Sequence, residues 1–360
     1  MNNPIAIAVL PGDHIGPEIT AAAVDVLNAV DARFKLRLAL TEHTVGHASL
    51  RASGKTITDE VYEAAARADG ILLGPCDNGG YPPPSEGGLN VPGKLRHGLD
   101  LYANIRPSRA YSSLPLARPG LDVLIVRENT EGFYPDRNMF EGYAEVMPVE
   151  GVAISMRKIT AYASNRIART AFEWARHRRK QVTVVNKKHI LRLTDGLFYD
   201  ECQKVAKEFS DVECRSAIVD AFNADIYTAP EKYDVVVTTN MFGDILSNLC
   251  SALAGGLGLG GGINAGAEHA MANASHGSAP DIAGKDRANP VSMVVSAGML
   301  LGWLGRKHDR PALLKAEKAI DDAIEFVLAD QRLRTADVGG SASTTACAAA
   351  LVDRINAAGS

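Results

Sequence analysis

A short, continuously apolar run constrains the fold of this chain most. Residues 235–239 read VVVTT. β-Branched residues without polar alternation predict a strand buried on both faces, which is typical of parallel sheets. Residues 240–243 then predict a turn, and a helix is expected to start near Asp244.

Two polar side chains follow that strand. Asp244 and Asn248 are four residues apart, so on a helix they share one face. Ile245 and Leu249 would form a second, apolar face. Open α/β sheets usually bind ligands at the carboxyl ends of buried strands. The alternative interpretation is a helix cap at Asp244 and a solvated Asn248.

Strands and helices are predicted to alternate along the chain. Strands are expected at residues 5–10, 35–41, 70–74, 101–106, 123–127 and 182–186, with an exposed arm strand at 152–158. Helices are expected at residues 18–29, 58–68, 94–100, 164–176, 195–209, 291–305, 311–330 and 343–357. Residues 75–93 form a long loop, of the kind that often serves as a functional lid. The alternation predicts an α/β fold with a mostly parallel central sheet.

Composition excludes several classes of protein. The 360 residues are 46% hydrophobic and 22% charged, a globular balance with room for two domains. The net charge of −4 gives no reason to expect nucleic acid or an anionic membrane as partner. No stretch approaches the roughly 20 apolar residues of a membrane span. The five cysteines are odd in number and lack metal-site spacing, so reduced thiols and a cytoplasmic location are expected.

Three arginines follow predicted strands or helices: Arg96, Arg106 and Arg127. The planar guanidinium binds carboxylates through two parallel hydrogen bonds, so a cluster of arginines would indicate a polycarboxylate ligand. Taken singly, each arginine is better explained as a surface ion pair.

Acid–base and metal chemistry have candidates near strand ends. A partly desolvated Lys187 could lose its proton and act as a base, although a solvated loop lysine is the simpler interpretation. Asp220 and Asp244 could supply oxygen ligands to Mg²⁺ or Mn²⁺. His43 and His47 have a ligand-like spacing, but no third ligand accompanies them in the sequence.

Residues 275–290, SHGSAPDIAGKDRANP, suggest a nucleotide-binding loop. Gly277 and Ser278 would let the backbone approach a phosphate closely. Asp281 could accept hydrogen bonds from a ribose diol and would repel a 2′-phosphate, which favours NAD over NADP.

An ordered set of motifs resembles one family. LPGDHIGPE begins at residue 10 and DVGGSAST at residue 337, with DLYANIRP, VRENTEGFY, TTNMFGDILSN and HGSAPDIAG between them. These motifs resemble the β-decarboxylating dehydrogenases, which include isocitrate, homoisocitrate, 3-isopropylmalate, D-malate and tartrate dehydrogenases. The resemblance implies a two-lobed fold with a dinucleotide site unlike the Rossmann fingerprint. The large cofactor-binding domain would comprise residues 1–103 and 256–360, and the small domain residues 104–255.

The resemblance implies roles for individual positions. Tyr134 would donate a proton to the product enolate, and Lys187 would act as base for the substrate hydroxyl. The carboxylate-binding positions would be Arg96, Arg106 and Arg127. The metal positions would be Asp220, Asp244 and, weakly, Asn248. The positions lining the cofactor pocket would be His276, Gly277, Asp281, Ile282 and Asn289.

The resemblance also implies a homodimer with shared active sites, in which Lys187 and Asp220 come from the partner subunit. Four positions depart from the family pattern. His14 replaces a glycine of the first turn, and His189 an asparagine. Asn248 replaces a metal-binding aspartate, which should weaken metal affinity because hard cations prefer charged oxygen. Asn273 replaces a glutamate near the nicotinamide.

The sequence thus predicts NAD- and Mg²⁺- or Mn²⁺-dependent oxidative decarboxylation of a 3-substituted malate. RENTEGFY and DLYANIRP favour an isocitrate- or homoisocitrate-like substrate, with Ser85, Asn90 and Lys94 contacting a distal carboxylate. The alternatives are 3-isopropylmalate, D-malate or tartrate as substrate. A second hypothesis, motivated by Asn248 and Asn273, is that the chain is a catalytically weak regulatory subunit of a hetero-oligomer. A third is that it is a ligand-binding module without redox chemistry.

Overall fold

The computed structural model describes residues 3–134, 138–139 and 143–357. The strands are β1 (Ile5–Leu10), β2 (Leu38–Glu42), β3 (Gly70–Leu73), β4 (Ala103–Arg109), β5 (Asp122–Glu128), β6 (Glu145–Val149), β7 (Val152–Ser155), β8 (Gln181–Asn186), β9 (Glu213–Ile218), β10 (Val235–Thr238), β11 (Ile263–Ala265) and β12 (Ala270–Asn273). The helices are α1 (Gly16–Phe34), α2 (Gly46–Ser53), α3 (Asp59–Arg67), α4 (Val91–Gly98), α5 (Ala161–Arg176), α6 (Thr194–Ala206), α7 (Val219–Thr228), α8 (Asn240–Leu253), α9 (Val291–Lys307), α10 (Pro311–Ala329) and α11 (Thr344–Ala357). No helix in these described ranges is long and apolar enough to cross a membrane.

The chain divides into two compact units. The first comprises Met1–Leu101, Tyr111–Ala117 and Ala254–Ser360, and the second comprises Tyr102–Ala110 and Arg118–Leu253. Each unit is therefore assembled from segments that are distant in the sequence.

The first unit contains strands in the order β2-β1-β3-β12-β11. β1 pairs in parallel with β2 and β3, β12 pairs in parallel with β3, and only the β11–β12 pair is antiparallel. Its strands are short; all four residues of β3 are buried, whereas β2 at the edge has no buried residue. The carboxyl ends of β1, β2 and β3 therefore meet at one edge of the sheet.

The second unit contains strands in the order β4-β5-β10-β8-β9. β4 is antiparallel to β5, whereas β5, β10, β8 and β9 run parallel. β10 is buried along its whole length, as the continuous valine run predicts. A separate antiparallel hairpin joins β6 to β7.

The α/β class with a mostly parallel sheet is confirmed. β1 has the predicted bounds, and Thr58 caps α3 by accepting a 3.3 Å hydrogen bond from the Val61 amide. β7 occupies the first half of the predicted arm strand.

Two local predictions, the start of α8 and the end of the loop after β3, were wrong. α8 begins at Asn240 rather than near Asp244, because the Gly243 amide already donates a helical 2.8 Å hydrogen bond to the Thr239 carbonyl. Asp244 is consequently inside the helix and does not cap it. The loop after β3 ends at Asn90, because α4 begins at the next residue. Ile245 and Leu249 are four residues apart on α8, as expected for an apolar face, and the Ile245 side chain is 55% exposed.

Candidate active site

A buried arginine anchors the polar cluster of the second unit. Arg127 is the sixth residue of β5, and its Nε donates a 2.9 Å hydrogen bond to Asn240 Oδ1. Its two terminal nitrogens donate to Asp244 Oδ1 and, at 3.0 Å, to the Tyr134 hydroxyl. The side chain is nearly inaccessible, so these partners hold the guanidinium in one orientation.

Tyr134 and Asp244 complete this cluster. The Tyr134 hydroxyl donates a 3.1 Å hydrogen bond to Asp244 Oδ2. The Asp244 side chain is 37% exposed, so solvent and small molecules can reach it. A phenol beside a guanidinium and a carboxylate is a suitable group for delivering a proton to a bound anion.

Arg106 approaches the same carboxylate from β4. Its NH1 donates to Ser247 Oγ at 2.8 Å and to Asp244 Oδ1 at 3.3 Å. Burial, and after it the positive charge of the neighbouring Arg127, lowers the pKa of Arg106 to about 10. Arg106 is still cationic at neutral pH, so the cluster carries two positive charges against one carboxylate. That excess charge suits an anionic ligand.

Gly243 allows α8 to lie directly on Arg127. A methyl group at Gly243 would come within 2.5 Å of Arg127 Cβ and Cγ, far below van der Waals contact. The missing side chain thus places Asp244 at the end of the Arg127 guanidinium.

Gly243→Ala is expected to displace Arg127 and to lower kcat/KM by roughly 10- to 100-fold, at a stability cost of about 1–3 kcal/mol. Steady-state kinetics and thermal melting would measure the two effects. Gly196→Ala is the matched control, because Gly196 lies in α6 with nothing within 4 Å of an added methyl group. The control should be neutral or slightly stabilising, since alanine favours helix. Equal kinetics for Gly243→Ala and wild type would contradict the close-contact argument.

Lys187 and Asp220 form a second polar cluster in the same unit. β8 and β9 are parallel neighbours whose last residues pair, Asn186 with Ile218. Lys187 follows β8 and Asp220 lies in the first turn of α7, so both emerge at the same edge. Lys187 Nζ donates to Asp220 Oδ1, and this contact lowers the pKa of the Asp220 carboxyl.

A buried ion pair supports the Lys187 backbone. Asp195 is fully buried and its Oδ2 accepts a 2.6 Å hydrogen bond from the Lys187 amide. Arg157 NH1 lies 2.6 Å from Asp195 Oδ1 and neutralises the charge. The backbone at Lys187 is therefore fixed, while the side chain, 27% exposed, can reach a ligand.

Arg96 lies in the first unit, on α4. Its NH2 donates a long, 3.5 Å hydrogen bond to Asn273 Oδ1, and Asn273 Nδ2 donates to the Leu73 carbonyl at 3.2 Å. Asn273 thus connects Arg96 to β3. Of the three predicted arginines, Arg106 and Arg127 converge on one carboxylate, and Arg96 has its own partner.

The predicted cofactor loop is also in the first unit. His276 Nδ1 donates a 2.9 Å hydrogen bond to the Gly277 carbonyl, because a carbonyl oxygen can only accept. Burial lowers the pKa of His276, so the ring is neutral and Nε2 is an acceptor. Within the described part of the chain, Nε2 is buried without a partner. A cofactor hydroxyl or amine would supply the missing donor.

The other predicted cofactor residues differ in how free their side chains are. Asp281 is exposed, and Ile282 is partly buried beside it in a 3₁₀ turn. Lys285 Nζ donates a 2.6 Å hydrogen bond to the Asp281 carbonyl and so places a positive charge beside Asp281. Asn289 is engaged twice, by donating to Asp337 at 3.0 Å and by accepting from the Val291 amide at 3.0 Å.

The predicted metal positions carry oxygen donors. Asp220 and Asp244 are solvent-accessible, and Asn248 is exposed one turn beyond Asp244 on α8. Carboxylate and amide oxygens are the donors that Mg²⁺ and Mn²⁺ prefer. Across the described residues, neither Asp220 nor Asp244 belongs to a cluster of three metal-ligating side chains.

Several residues that hold the clusters together were missed by the sequence argument. Asn240 connects Arg127 to the loop after β5 by donating a 2.7 Å hydrogen bond to the Glu131 carbonyl. Ser247 positions Arg106, and Asp195 positions Lys187. Asn240 and Ser247 lie within four positions of Asp244, and Asp195 lies eight positions after Lys187, but only the folded chain shows that these side chains point inward.

Known proteins resemble this chain along nearly its whole length. Residues 6–355 match the family model described as isocitrate/isopropylmalate dehydrogenase. A 3-isopropylmalate/3-methylmalate dehydrogenase from Methanocaldococcus jannaschii is 40% identical over 97% of this chain and 98% of its own length. An isocitrate/homoisocitrate dehydrogenase from Thermus thermophilus is 39% identical over the same shares of the two chains. The crystal structure of isocitrate dehydrogenase from Methylococcus capsulatus superposes with a TM-score of 0.86 at 36% identity, covering 98% of this chain and 99% of that one.

Proposed function

Because this chain belongs to the isocitrate/isopropylmalate dehydrogenase family, we propose that it catalyses NAD⁺-dependent oxidative decarboxylation of a 3-substituted malate. The observation that carries the proposal is the convergence of Arg106, Arg127 and Tyr134 on Asp244. Two cations with a phenolic proton donor fit a substrate that carries carboxylates and passes through an enolate.

Each cluster has a role in this reaction. Arg106 and Arg127 would orient the malate carboxylates, with Arg96 as a further carboxylate-binding residue. Lys187 would accept the hydroxyl proton as C2 is oxidised. Tyr134 would protonate C3 of the enolate after the C3–carboxylate bond breaks and CO₂ leaves.

The cofactor and the metal would supply the remaining chemistry. The residues that would hold NAD⁺, which would supply the hydride acceptor, are His276, Gly277, Asp281, Ile282 and Asn289. Asp220 and Asp244, with Asn248 as a weaker ligand, would hold a divalent cation, which would supply Lewis-acid chemistry for the decarboxylation. That cation would also compete with Lys187 for the Asp220 carboxylate.

NAD⁺ is expected to give at least about tenfold higher kcat/KM than NADP⁺, or about 1.4 kcal/mol. Asp281 is the reason, because its carboxylate would repel a 2′-phosphate. Asp281→Lys should narrow the preference for NAD⁺, whereas Glu63→Lys, an equal charge change at an exposed position of α3, should leave it unchanged. Equal efficiency with NADP⁺ would show that Lys285 outweighs Asp281. NADH formation by the purified chain alone would also exclude a purely regulatory subunit.

The contacts of Asn90 and Lys94 bear on whether the substituent at C3 of the substrate is carboxylated or alkyl. Asn90 Oδ1 accepts a 2.8 Å hydrogen bond from the Gly93 amide and caps α4. Lys94 Nζ lies 3.0 Å from Asp59. Two of the three side chains expected to contact a distal carboxylate, Asn90 and Lys94, are therefore already paired, which favours the alternative of an alkyl substituent.

We therefore expect kcat/KM to be about tenfold or more higher for 3-isopropylmalate or 3-methylmalate than for isocitrate and homoisocitrate. The distal carboxylate of the latter two substrates would be buried without a partner. The measurement is a side-by-side panel that also includes D-malate and tartrate. A tenfold advantage for isocitrate or homoisocitrate would instead support the carboxylated substituent that the motifs predict.

We also propose a homodimer with shared active sites. Large apolar side chains are exposed on the β6–β7 hairpin, among them Val149 at 61% and Ile154 at 48%. Ile245, beside Asp244 on α8, is exposed as well. A hairpin with apolar residues exposed on both faces is a usual docking surface for a second copy. Such a dimer would bring Lys187 and Asp220 of one subunit to Asp244 of the other.

A further inference from the structure

Two histidines and an aspartate converge in the first unit, in a cluster that the proposed reaction does not use. His14 Nε2 and His47 Nε2 each lie 3.1 Å from the same oxygen of Asp77, Oδ2. The ligand-capable atoms of all three side chains lie within 4.8 Å of one another. The side chains of His14, His47 and Asp77 are 29%, 26% and 30% exposed, so an ion can reach them.

The parallel sheet explains why these residues meet. β2, β1 and β3 are adjacent and parallel, so the segments that follow them emerge at the same edge. His14 is in the turn after β1, His47 is in the first turn of α2 after β2, and Asp77 is in the loop after β3. The sequence separates these residues by 30 or more positions, which is why His47 shows no third ligand locally.

A buried carboxylate holds two of the three segments in place. Asp13 is 5% exposed, and its Oδ1 accepts a 2.7 Å hydrogen bond from the His47 amide. Its Oδ2 accepts from the Asp77 amide at 3.0 Å and from the Tyr81 hydroxyl. The Tyr81 ring also contacts the His47 ring edge-on, with 4.9 Å between centroids. Second-layer contacts of this kind fix ligands before a metal arrives.

The backbone at His14 is unusual. Its φ is +53°, in the left-handed region that favours glycine and that other residues occupy at a cost. The chain nevertheless places an imidazole there and directs it at Asp77. Residues with a strained backbone cluster at functional sites, so the conformation of His14 is consistent with a ligand-binding role for its side chain.

We propose that His14, His47 and Asp77 form a Zn²⁺ site, separate from the oxygen-donor site proposed for Mg²⁺ or Mn²⁺. Two imidazole nitrogens and one carboxylate suit zinc, whereas Mg²⁺ prefers oxygen alone. A tetrahedral zinc with bonds of about 2.0–2.1 Å separates its ligand atoms by roughly 3.3 Å. The observed 3.1 Å nitrogen–oxygen separations match that spacing, and a water molecule would take the fourth position.

Zinc at this site would tie together three segments of the first unit. Asp77 lies at the start of the loop that runs to Asn90, so coordination would restrain that loop against α2 and the first turn. The first turn also contacts the predicted cofactor loop, because the Ile15 amide donates a 3.1 Å hydrogen bond to the Ser278 carbonyl. The proposed ion would therefore reduce the mobility of the first turn and of the loop that runs to Asn90, both close to the predicted cofactor loop.

Equilibrium dialysis of the untagged full chain against ZnCl₂ tests the proposal. An excess of MgCl₂ occupies the oxygen-donor site, and the buffer is mildly alkaline, because protons compete with a metal ion for its ligands. We expect one zinc per chain. His14→Gly, His47→Gln and Asp77→Asn should each weaken zinc affinity at least about tenfold. His14→Gly is the sharpest variant, because glycine suits the backbone at this position and should not impair folding.

The control variants are His43→Gln, a nearby histidine outside the cluster, and Asp244→Asn, in the other proposed metal site. Both should bind zinc as tightly as wild type. Zinc should also raise the melting temperature of wild type and of His43→Gln but not of His14→Gly, and Co²⁺ in its place should give the visible spectrum of tetrahedral nitrogen–oxygen coordination. Absence of zinc binding, undiminished binding by His14→Gly, or loss of binding only in Asp244→Asn would each overturn the proposal. None of these results depends on dehydrogenase activity.

Discussion

Arg127→Leu is expected to lower kcat/KM at least about a thousandfold, which corresponds to roughly 4 kcal/mol. The substitution removes a buried guanidinium that bonds Asn240, Asp244 and Tyr134 at once. It would delete a carboxylate-binding fork and leave the Tyr134 hydroxyl without its fixed neighbour. Both binding and proton transfer should therefore suffer, so kcat should fall and KM should rise.

Two controls separate this effect from general damage. Arg127→Lys keeps the charge but loses the fork, and it should lie between the leucine variant and wild type. Arg176→Leu breaks an exposed ion pair with Asp211 and should change kcat/KM by about twofold or less. Melting curves would show whether Arg127→Leu is folded. A folded Arg127→Leu protein with near-normal kinetics would remove Arg127 from the proposed site.

Lys187→Ala and Asp244→Ala chains are each expected to be inactive, with kcat reduced at least about a thousandfold. When the two are mixed and allowed to exchange subunits, activity should return. In a mixed dimer with shared sites, one site collects both changes and the other collects neither. Random exchange makes about half the dimers mixed, so about one quarter of all sites should be intact.

The proposed sharing of Lys187 and Asp244 is what this mixing experiment examines. Mixing Lys187→Ala with Asp220→Ala serves as the control, because both residues would come from the same subunit. One site of the mixed dimer would then lack Lys187 and the other Asp220, so activity should stay low. Subunit exchange would be verified by native mass spectrometry of differently labelled chains. Full exchange without recovery would show that each site is built from a single chain.

Local sequence patterns determined the class of the fold. The valine run of β10 and the apolar β1 are continuous, and such runs are stable only where both faces of a strand are covered. Thr58 caps α3 because the first amides of a helix have no partner within the helix, and a hydroxyl at the preceding residue can accept a hydrogen bond from one of them. The ordered motifs placed the chain in its family, because they name residue types at fixed positions along the chain and require no knowledge of contacts.

The tertiary structure decided where α8 begins and what Asp244 touches. Asn240 and Gly243 are turn-forming residues by local preference, which is why a turn was predicted there. In the folded chain Asn240 bonds Arg127, and Gly243 lets the helix lie on it. Contacts across more than 100 positions of sequence outweigh a preference worth about 1 kcal/mol or less.

Tertiary contacts also explain the His14–His47–Asp77 cluster. They likewise explain why the side chains of Asn90 and Lys94 are already bonded to other residues. A sequence shows which polar groups exist, but a hydrogen-bonding or metal-binding partner is chosen by distance in space. The parallel order β2-β1-β3 brings His14, His47 and Asp77 to one edge. That order depends on how the strands of the unit pair with one another, a property of the whole sheet that no single segment encodes.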